Sequence, residues 1–392
     1  MLEIATSTSN PLDYLPPPNP ENLRLNETPP PPPVARAPHL LDWATVSEHV
    51  LAYTRGKGFS FDPWQIASFI SAARTRPFIM LAGISGTGKS QLPRLIAEAT
   101  RSECVVVPVR PDWTDSADLL GFERLDGQFT PGRLLQMSQD ALKNPQKQYF
   151  FILDEMNIAR AEYYFAEVLS VMESRGRRGL EIFTDPLLPT APEPWNEIGL
   201  PSNLCLIGTV NMDETTNSFS RKVLDRAFVL EMSSVDLSSI DYAYKPVGDL
   251  DVPSEFWKTP YIRLAELPTP AENATVIEAV KDLVAINEFL ELAQLQVGYR
   301  VRDEVALFCI NAEGVTTFVD DDEEVVSPTD LSIMMKILPR LQGSGSEIGA
   351  ALDNFLHWVN DPLRSSTYIK TRQRLQLMAS RLATSGFTSY WL

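Results

Sequence analysis

The sequence predicts an α/β chain in which a parallel sheet lies between helices and a wholly helical region follows. Three observations carry that expectation. Between Pro77 and Met232, short apolar runs bounded by polar residues or glycine alternate with helix-forming stretches. A glycine-rich octapeptide, 83–90, follows the first run and leads into a helix-forming stretch. From Pro270 onward, apolar residues recur at helical spacing.

The elements are justified in chain order. Residues 1–38 hold 11 of the 31 prolines, including Pro16-Pro17-Pro18 and the run Pro29 to Pro33. Proline removes backbone donors and favours extended polyproline II, so this stretch reads as a disordered tail, either a spacer or a docking peptide for an aromatic groove. Residues 39–76 read as a helical linker, with Leu41, Trp43, Val46, Val50 and Leu51 on one helix and Trp64, Ile66, Phe69 and Ile70 on a second. Within 77–268 the apolar runs 78–82, 104–109, 149–153, 204–208 and 227–231 are five strands, with helices at 89–99 and 161–173. Residues 119–134 interrupt the alternation with Asp126-Gly127 between short apolar stretches, a hairpin signal. Residues 269–392 read as a helical lid, with helices over 276–296, 303–312, 330–341 and 368–383 and a solvated acidic loop at 320–324.

Composition excludes several classes. At 392 residues, the chain predicts two to three domains and needs no disulfide staple. Its formal charge is 34 − 51 = −17, so it is not expected to coat DNA through its own lysines and arginines. Any nucleic-acid role would need a partner or a small local patch. Cys104, Cys205 and Cys309, with His39, His49 and His357, form no zinc spacing. No apolar run approaches the ~18 residues of a membrane span, and the N-terminus lacks a secretory signal pattern. A reducing cytoplasm is the expected compartment.

The octapeptide Gly83-Ile84-Ser85-Gly86-Thr87-Gly88-Lys89-Ser90 matches GxxxxGK[ST] at each fixed position. Glycines let backbone N–H groups converge on a phosphate, and the following helix N-terminus favours anions. Gly83, Ser85, Gly86, Thr87, Gly88, Lys89, Ser90 and Gln91 are thus the nucleotide-binding candidates. Lys89 would reach the β/γ oxygens, and Ser90 would ligand Mg²⁺. The run 149–153 ends in Asp154-Glu155, one acid for the metal and the other as general base for an attacking water. A small-molecule kinase needs no second acid there, so the pair favours hydrolysis. The glycine-rich segment and the acid-bearing segment should lie side by side around one magnesium-bound triphosphate. Asn211, at the tip of a strand beside the acidic one, can orient the water or contact the γ-phosphate. Arg226, just before the last run, would reach a neighbour's nucleotide as an arginine finger or else pair with Asp225 or Glu231. Arg175, Arg177 and Arg178 read as a solvated loop and helix end, with phosphate or an acidic partner as the alternative.

The loop, Asp154-Glu155, Asn211 and Leu224-Asp225-Arg226, in this order, resemble an AAA+ ATPase module. GISGTGKSQL at 83–92, DEMNIAR at 154–160 and GTVNMDETTNSFSRKVLDR at 208–226 resemble its McrB-type branch, the nucleotide-driven motor subunits of modification-dependent restriction systems. The resemblance covers roughly residues 40–392. It implies a five-stranded parallel sheet between helices, a helical lid and a six-membered ring, the family's habit of assembly, with nucleotide between protomers. Lys89 and Ser90 would be the Walker A pair, Asp154 and Glu155 Walker B, Asn211 sensor 1 and Arg226 the finger, with Arg221 its competitor. Arg302 would be the lid's sensor 2 arginine, with Arg300 as the other choice. The 119–134 hairpin would face the ring pore or a partner. Departures accompany the likeness: Asn157-Ile158-Ala159-Arg160 stands in place of Asn-Arg-Ala-Asn, leaving Arg160 as the partner contact, and Thr215 stands where the branch has arginine. ATP is expected on class frequency, and GTP stays open because the McrB type resembles a GTPase. Only the proline-rich tail and about 40 helical residues precede the loop, so target recognition is expected on another chain, a nuclease or adaptor subunit. A MoxR-like chaperone or a nucleotide-gated scaffold is the alternative.

Overall fold

The computed structural model describes residues 41–179, 181–212, 217–233, 245–320 and 323–391. The proline-rich tail, Thr215 and part of the acidic run therefore lie outside the described residues. Two helices open the fold, α1 (Trp43–Gly56) and α2 (Pro63–Thr75), followed by β1 (Phe78–Gly83) and α3 (Gln91–Ala99). After β2 (Glu103–Pro108), the short α4 (Ala117–Leu120) and α5 (Arg133–Lys143) flank a hairpin of β3 (Gly121–Glu123) and β4 (Phe129–Pro131). β5 (Tyr149–Asp154), α6 (Ala161–Tyr164) and α7 (Ala166–Glu173) come next, then a second hairpin of β6 (Gly176–Arg178) and β7 (Glu181–Phe183). β8 (Leu204–Asn211), α8 (Arg221–Leu224) and β9 (Phe228–Glu231) complete the strands. The remaining helices are α9 (Ser254–Trp257), α10 (Ala274–Leu292), α11 (Tyr299–Ala312), α12 (Pro328–Lys336), α13 (Ser346–Val359) and α14 (Ile369–Ser385).

Five strands form one parallel sheet in the order β2-β5-β8-β1-β9, as the alternating pattern predicts. β1 and β8 are buried along their whole length because helices cover both faces, which is why FIMLAG and LCLIGTVN read as near-continuous apolar runs. One expectation needs correcting. The strands leading to Lys89 and to Asp154 are not side by side: β8 lies between them and pairs with both. From β1 the chain moves to β2 on one side, whereas β8 is followed by β9 on the other. That reversal opens a crevice at the carboxyl ends of β1 and β8, the usual ligand position in such sheets.

The 119–134 hairpin is present. Its turn uses Gly127 at φ +76°, and the Gln128 N–H donates to the Asp126 carboxylate at 3.1 Å. Leu125 stands fully exposed at its tip. The second hairpin lies where a solvated loop was expected. Arg177 is tied down there, donating to Pro260 O at 2.9 Å and pairing with Glu266 at 3.2 Å, while Arg178 lies over the Phe183 ring. These long-range partners, invisible in a Gly/Arg-rich string, convert the segment into a ribbon. In the acidic run, the Asp320 N–H meets Glu324 O at 3.0 Å, closing a tight turn. The C-terminal helices share the sheet's core: α11 packs on α2 and α12 on β9. Among the described residues, no helix is long and apolar enough to cross a membrane.

Candidate nucleotide-binding site

The loop between β1 and α3 has the backbone that a phosphate cradle requires. Gly86 and Gly88 sit at φ +86° and +83°, a region that side-chain-bearing residues rarely adopt. A Cβ on Gly88 would also press to 3.1 Å from the Phe61 ring, so the linker before α2 abuts the loop. Lys89 is only 6% exposed, and its ammonium donates to the carbonyls of Gly83 at 3.0 Å and Ile84 at 2.5 Å. The lysine is thus folded back onto its own loop. Ser85, Gly86 and Thr87 line the open side, Thr87 donating to Ile84 O at 3.1 Å, and Gln91 begins α3.

At the neighbouring strand ends the polar groups converge. Ser90 Oγ donates to Asp154 Oδ1 at 2.5 Å, and Thr209 Oγ1 donates to the same oxygen at 2.7 Å. Thr209 Oγ1 also accepts from the Glu155 N–H at 2.9 Å. Asn211 Nδ2 donates to Glu155 Oε1 at 3.2 Å, and Asn157 Nδ2 holds the Asn211 carbonyl at 3.0 Å. Glu155 itself adopts φ +55°, a left-handed conformation for a non-glycine residue, which turns its exposed carboxylate off the end of β5. Such backbone outliers cost about 1–3 kcal/mol and cluster at functional sites. Lys89, Ser90, Asp154, Glu155 and Asn211 therefore meet in one crevice.

Thr209 is the residue that sequence reasoning missed. It is a polar residue set within the apolar run that leads to Asn211, and that was the available signal. Asn157 was noted only as a motif letter, yet it braces Asn211.

A hydroxyl and a carboxylate held side by side are hard oxygen donors. They suit Mg²⁺, which usually takes one or two carboxylates, substrate phosphates and waters. Ser90 and Asp154 fit that role. Beyond the loop, a further cavity lies among Asp62, Trp64, Glu231, Lys370 and Arg374, bounded by α2, the end of β9 and α14.

The expected trans-acting arginines lie elsewhere. Phe228 pairs with Ile79 near the start of β1, so Arg226, two residues before Phe228, sits off the amino edge of the sheet, with most of the length of β1 (about 13 Å from Ile79 to Gly83) between that level and the loop. Arg226 is buried; it donates to Leu169 O at 2.9 Å and to Lys222 O, and pairs with Glu173. Burial pulls its pKa down, with Glu173 opposing. Arg300 reaches the same Glu173 carboxylate at 2.9 Å. Burial alone would raise the Glu173 carboxyl, but the hydrogen bond from Arg300 and the charge of Arg226 outweigh it and hold it below its ordinary value. Arg302 turns to Asp303 at 2.6 Å and lies over the Tyr299 ring, so Arg300 is the member of the pair that joins Arg226. Arg221 donates to Gln294 O at 3.0 Å on the rim of the same cleft. Arg160 is exposed beside the Tyr163 ring.

Residues 78–228 match the family model described as AAA domain (dynein-related subfamily), and residues 250–387 match a domain of unknown function (DUF8727). The chain is 28% identical over 198 residues to the type IV methyl-directed restriction enzyme EcoKMcrB subunit of Escherichia coli (strain K12), covering 50% of this chain and 37% of that one. It is 26% identical over 159 residues to Lon protease of Lachnoclostridium phytofermentans, covering 40% of this chain and 18% of that one. It thus spans well under half the length of these curated relatives. A crystal structure of a candidate ATPase from Cytophaga hutchinsonii aligns over 76% of this chain and 87% of that one, at 15% identity and TM-score 0.47. With the loop, the acidic strand end and the strand order in place, residues 78–228 have the features of the AAA domain (dynein-related subfamily) whose model they match, and this part of the chain is similar to the EcoKMcrB subunit.

Proposed function

We propose that this chain is a Mg²⁺-dependent nucleoside triphosphatase, using ATP in first place and GTP in second, that works as a ring-forming motor of a cytoplasmic DNA restriction or anti-phage complex. The observation that carries the hydrolytic part is the convergence of Ser90, Asp154, Thr209, Glu155 and Asn211 beside the Lys89 loop. On binding, Lys89 exchanges its loop carbonyls for β- and γ-phosphate oxygens, and the loop N–H groups and the α3 N-terminus take the remaining charge. Ser90 and Asp154 would hold the magnesium ion, which when bound neutralises charge on the phosphate oxygens. Glu155 accepts the proton of the attacking water, and Asn211 keeps that carboxylate aimed by its 3.2 Å hydrogen bond. The cavity beside Trp64 and Lys370 would seat the base.

Arg226 stands too far from its own loop, which supports action on a neighbour's nucleotide in a ring, hexameric by class. Arg300, in preference to Arg302, would be the accompanying lid arginine. DNA contact through a nuclease or adaptor subunit agrees with the −17 charge, and the EcoKMcrB likeness supports the restriction setting. The test is phosphate release from ATP and GTP, with and without Mg²⁺. No release from either nucleotide would overturn the proposal. Mixing Arg226→Ala with Lys89→Ala chains should restore part of the turnover if the arginine acts across protomers.

The Lon protease likeness favours a second reading, a MoxR-like chaperone or nucleotide-gated scaffold that remodels protein complexes without moving DNA. Hydrolysis accelerated by DNA together with a nuclease partner supports the motor; a rate indifferent to both supports the scaffold.

A further inference from the structure

A basic pocket lies at the amino edge of the sheet, on the far side of the Glu173–Arg300 pair from the Arg226 cleft. It is a cavity of about 470 Å³, within the range of small-molecule sites, and its walls include Arg76, Arg175, Arg263 and Arg300. Three carboxylates also face it, and each is already engaged. Glu173 holds Arg226 and Arg300. Glu304 lies 2.5 Å from the Lys336 ammonium and 3.6 Å from Arg76. Asp303 takes Arg302 and the Leu264 N–H.

Arg175 and Arg263 are left over: among the described residues, neither side chain has a hydrogen bond or an ion pair. Arg263 is exposed, and water can serve it. Arg175 is only partly open to the cavity, and burial, reinforced by the neighbouring Arg76 charge, pulls its pKa down to about 9. A guanidinium so placed is costly unless an anion joins it.

We propose that this pocket is an oxyanion site that takes the phosphate group of a small phosphorylated ligand, with Arg175 and Arg263 as its donors. The planar guanidinium fork matches phosphate oxygens in pairs, and the concave shape limits the ligand to a small molecule. The site is independent of the hydrolytic loop, since Arg76 precedes β1 and the loop follows it.

The experiment uses the Lys89→Ala chain, in which the loop's grip on phosphate is removed, with pyrophosphate as the probe in calorimetric titration. One pyrophosphate should bind per chain, at least tenfold more weakly after adding Arg263→Ala, and not measurably after adding Arg175→Met. Arg175→Met should also raise Tm in the absence of anion, because it removes a partly buried charge that has no ion-pair partner among the described residues; an arginine serving only structure would lower Tm when replaced. Arg263 is on the surface, so its variant keeps the test open even if Arg175→Met folds poorly. The proposal is overturned if the Lys89→Ala chain ignores pyrophosphate, if it binds duplex DNA in its place, or if both arginine variants bind undiminished. None of these outcomes depends on whether the loop hydrolyses a nucleotide.

Discussion

Ser90 lies beyond β1 and Asp154 ends β5, strands that do not pair, yet Ser90 Oγ donates to Asp154 Oδ1 at 2.5 Å across the tip of β8. The contact sets two hard oxygens together at the point where the sheet reverses its order. Asp154→Asn removes the charge while keeping the shape. The expected result is at least a tenfold higher Mg²⁺ concentration for half-maximal hydrolysis, read from a magnesium titration. An unchanged midpoint would remove Asp154 from the metal site.

Glu155→Gln preserves the volume and the bond from Asn211 but cannot take a proton. Turnover should fall by about 10²–10⁴-fold, the usual contribution of a general base, while nucleotide affinity stays within a few-fold. Fluorescent-nucleotide binding beside phosphate release separates the two quantities. Wild-type turnover would exclude Glu155 as the base.

Thr209→Val removes a hydroxyl that serves both Asp154 and the Glu155 N–H. The orphaned groups should cost about 1–3 kcal/mol in denaturant unfolding, and turnover should fall with them. Thr209→Ser should rescue both. Failure of serine to rescue would mean that packing of the methyl group, and not the hydroxyl, is what matters.

Lys336 is 1% exposed and donates to the carbonyls of Asp225 and Ala227, on either side of Arg226, while lying 2.5 Å from Glu304. Burial holds its pKa below the ordinary lysine value, and the Glu304 carboxylate opposes that only in part. Lys336→Met takes from the buried Glu304 carboxylate its nearer cation and leaves it only Arg76 at 3.6 Å, for which up to about 3–5 kcal/mol of destabilisation is expected. Adding Glu304→Gln should return part of that stability, measured as a coupling in a double-mutant cycle. Strict additivity would show that the pair is not coupled.

Asp330, on α12, is buried against the start of α14, where it accepts from the N–H groups of Lys370 at 2.7 Å and Thr371 at 2.8 Å. Burial pushes its pKa up to about 6 despite those bonds. The folded state therefore holds the proton more tightly than the unfolded chain. The associated stability is fully present below about pH 4 and is lost as pH rises towards 6, on the order of 3 kcal/mol in all. Asp330→Asn should be less stable than wild type at pH 4, and the gap should narrow by pH 7. A gap independent of pH would contradict the assignment.

Much of the site was readable before any folding was considered. The octapeptide, the apolar run into Asp154-Glu155 and the strand ending in Asn211 are local patterns, each fixed by a chemical need at short spacing. Their order along the chain sufficed to anticipate the sheet, because buried parallel strands must be apolar throughout. The long-range pairings decided what remained. Strand β8 entered between β1 and β5, and only then did Thr209 become the link between the two acids. Arg226, Arg300 and Arg302 are alike as letters, but a carboxylate at Glu173 drew in the first two and Asp303 took the third. Side-chain partners distant in sequence leave no spacing to read, since their distance is set by how helices pack on the sheet. For that reason the nucleotide loop could be located from the sequence, whereas the positions of the arginines could be located only in the fold.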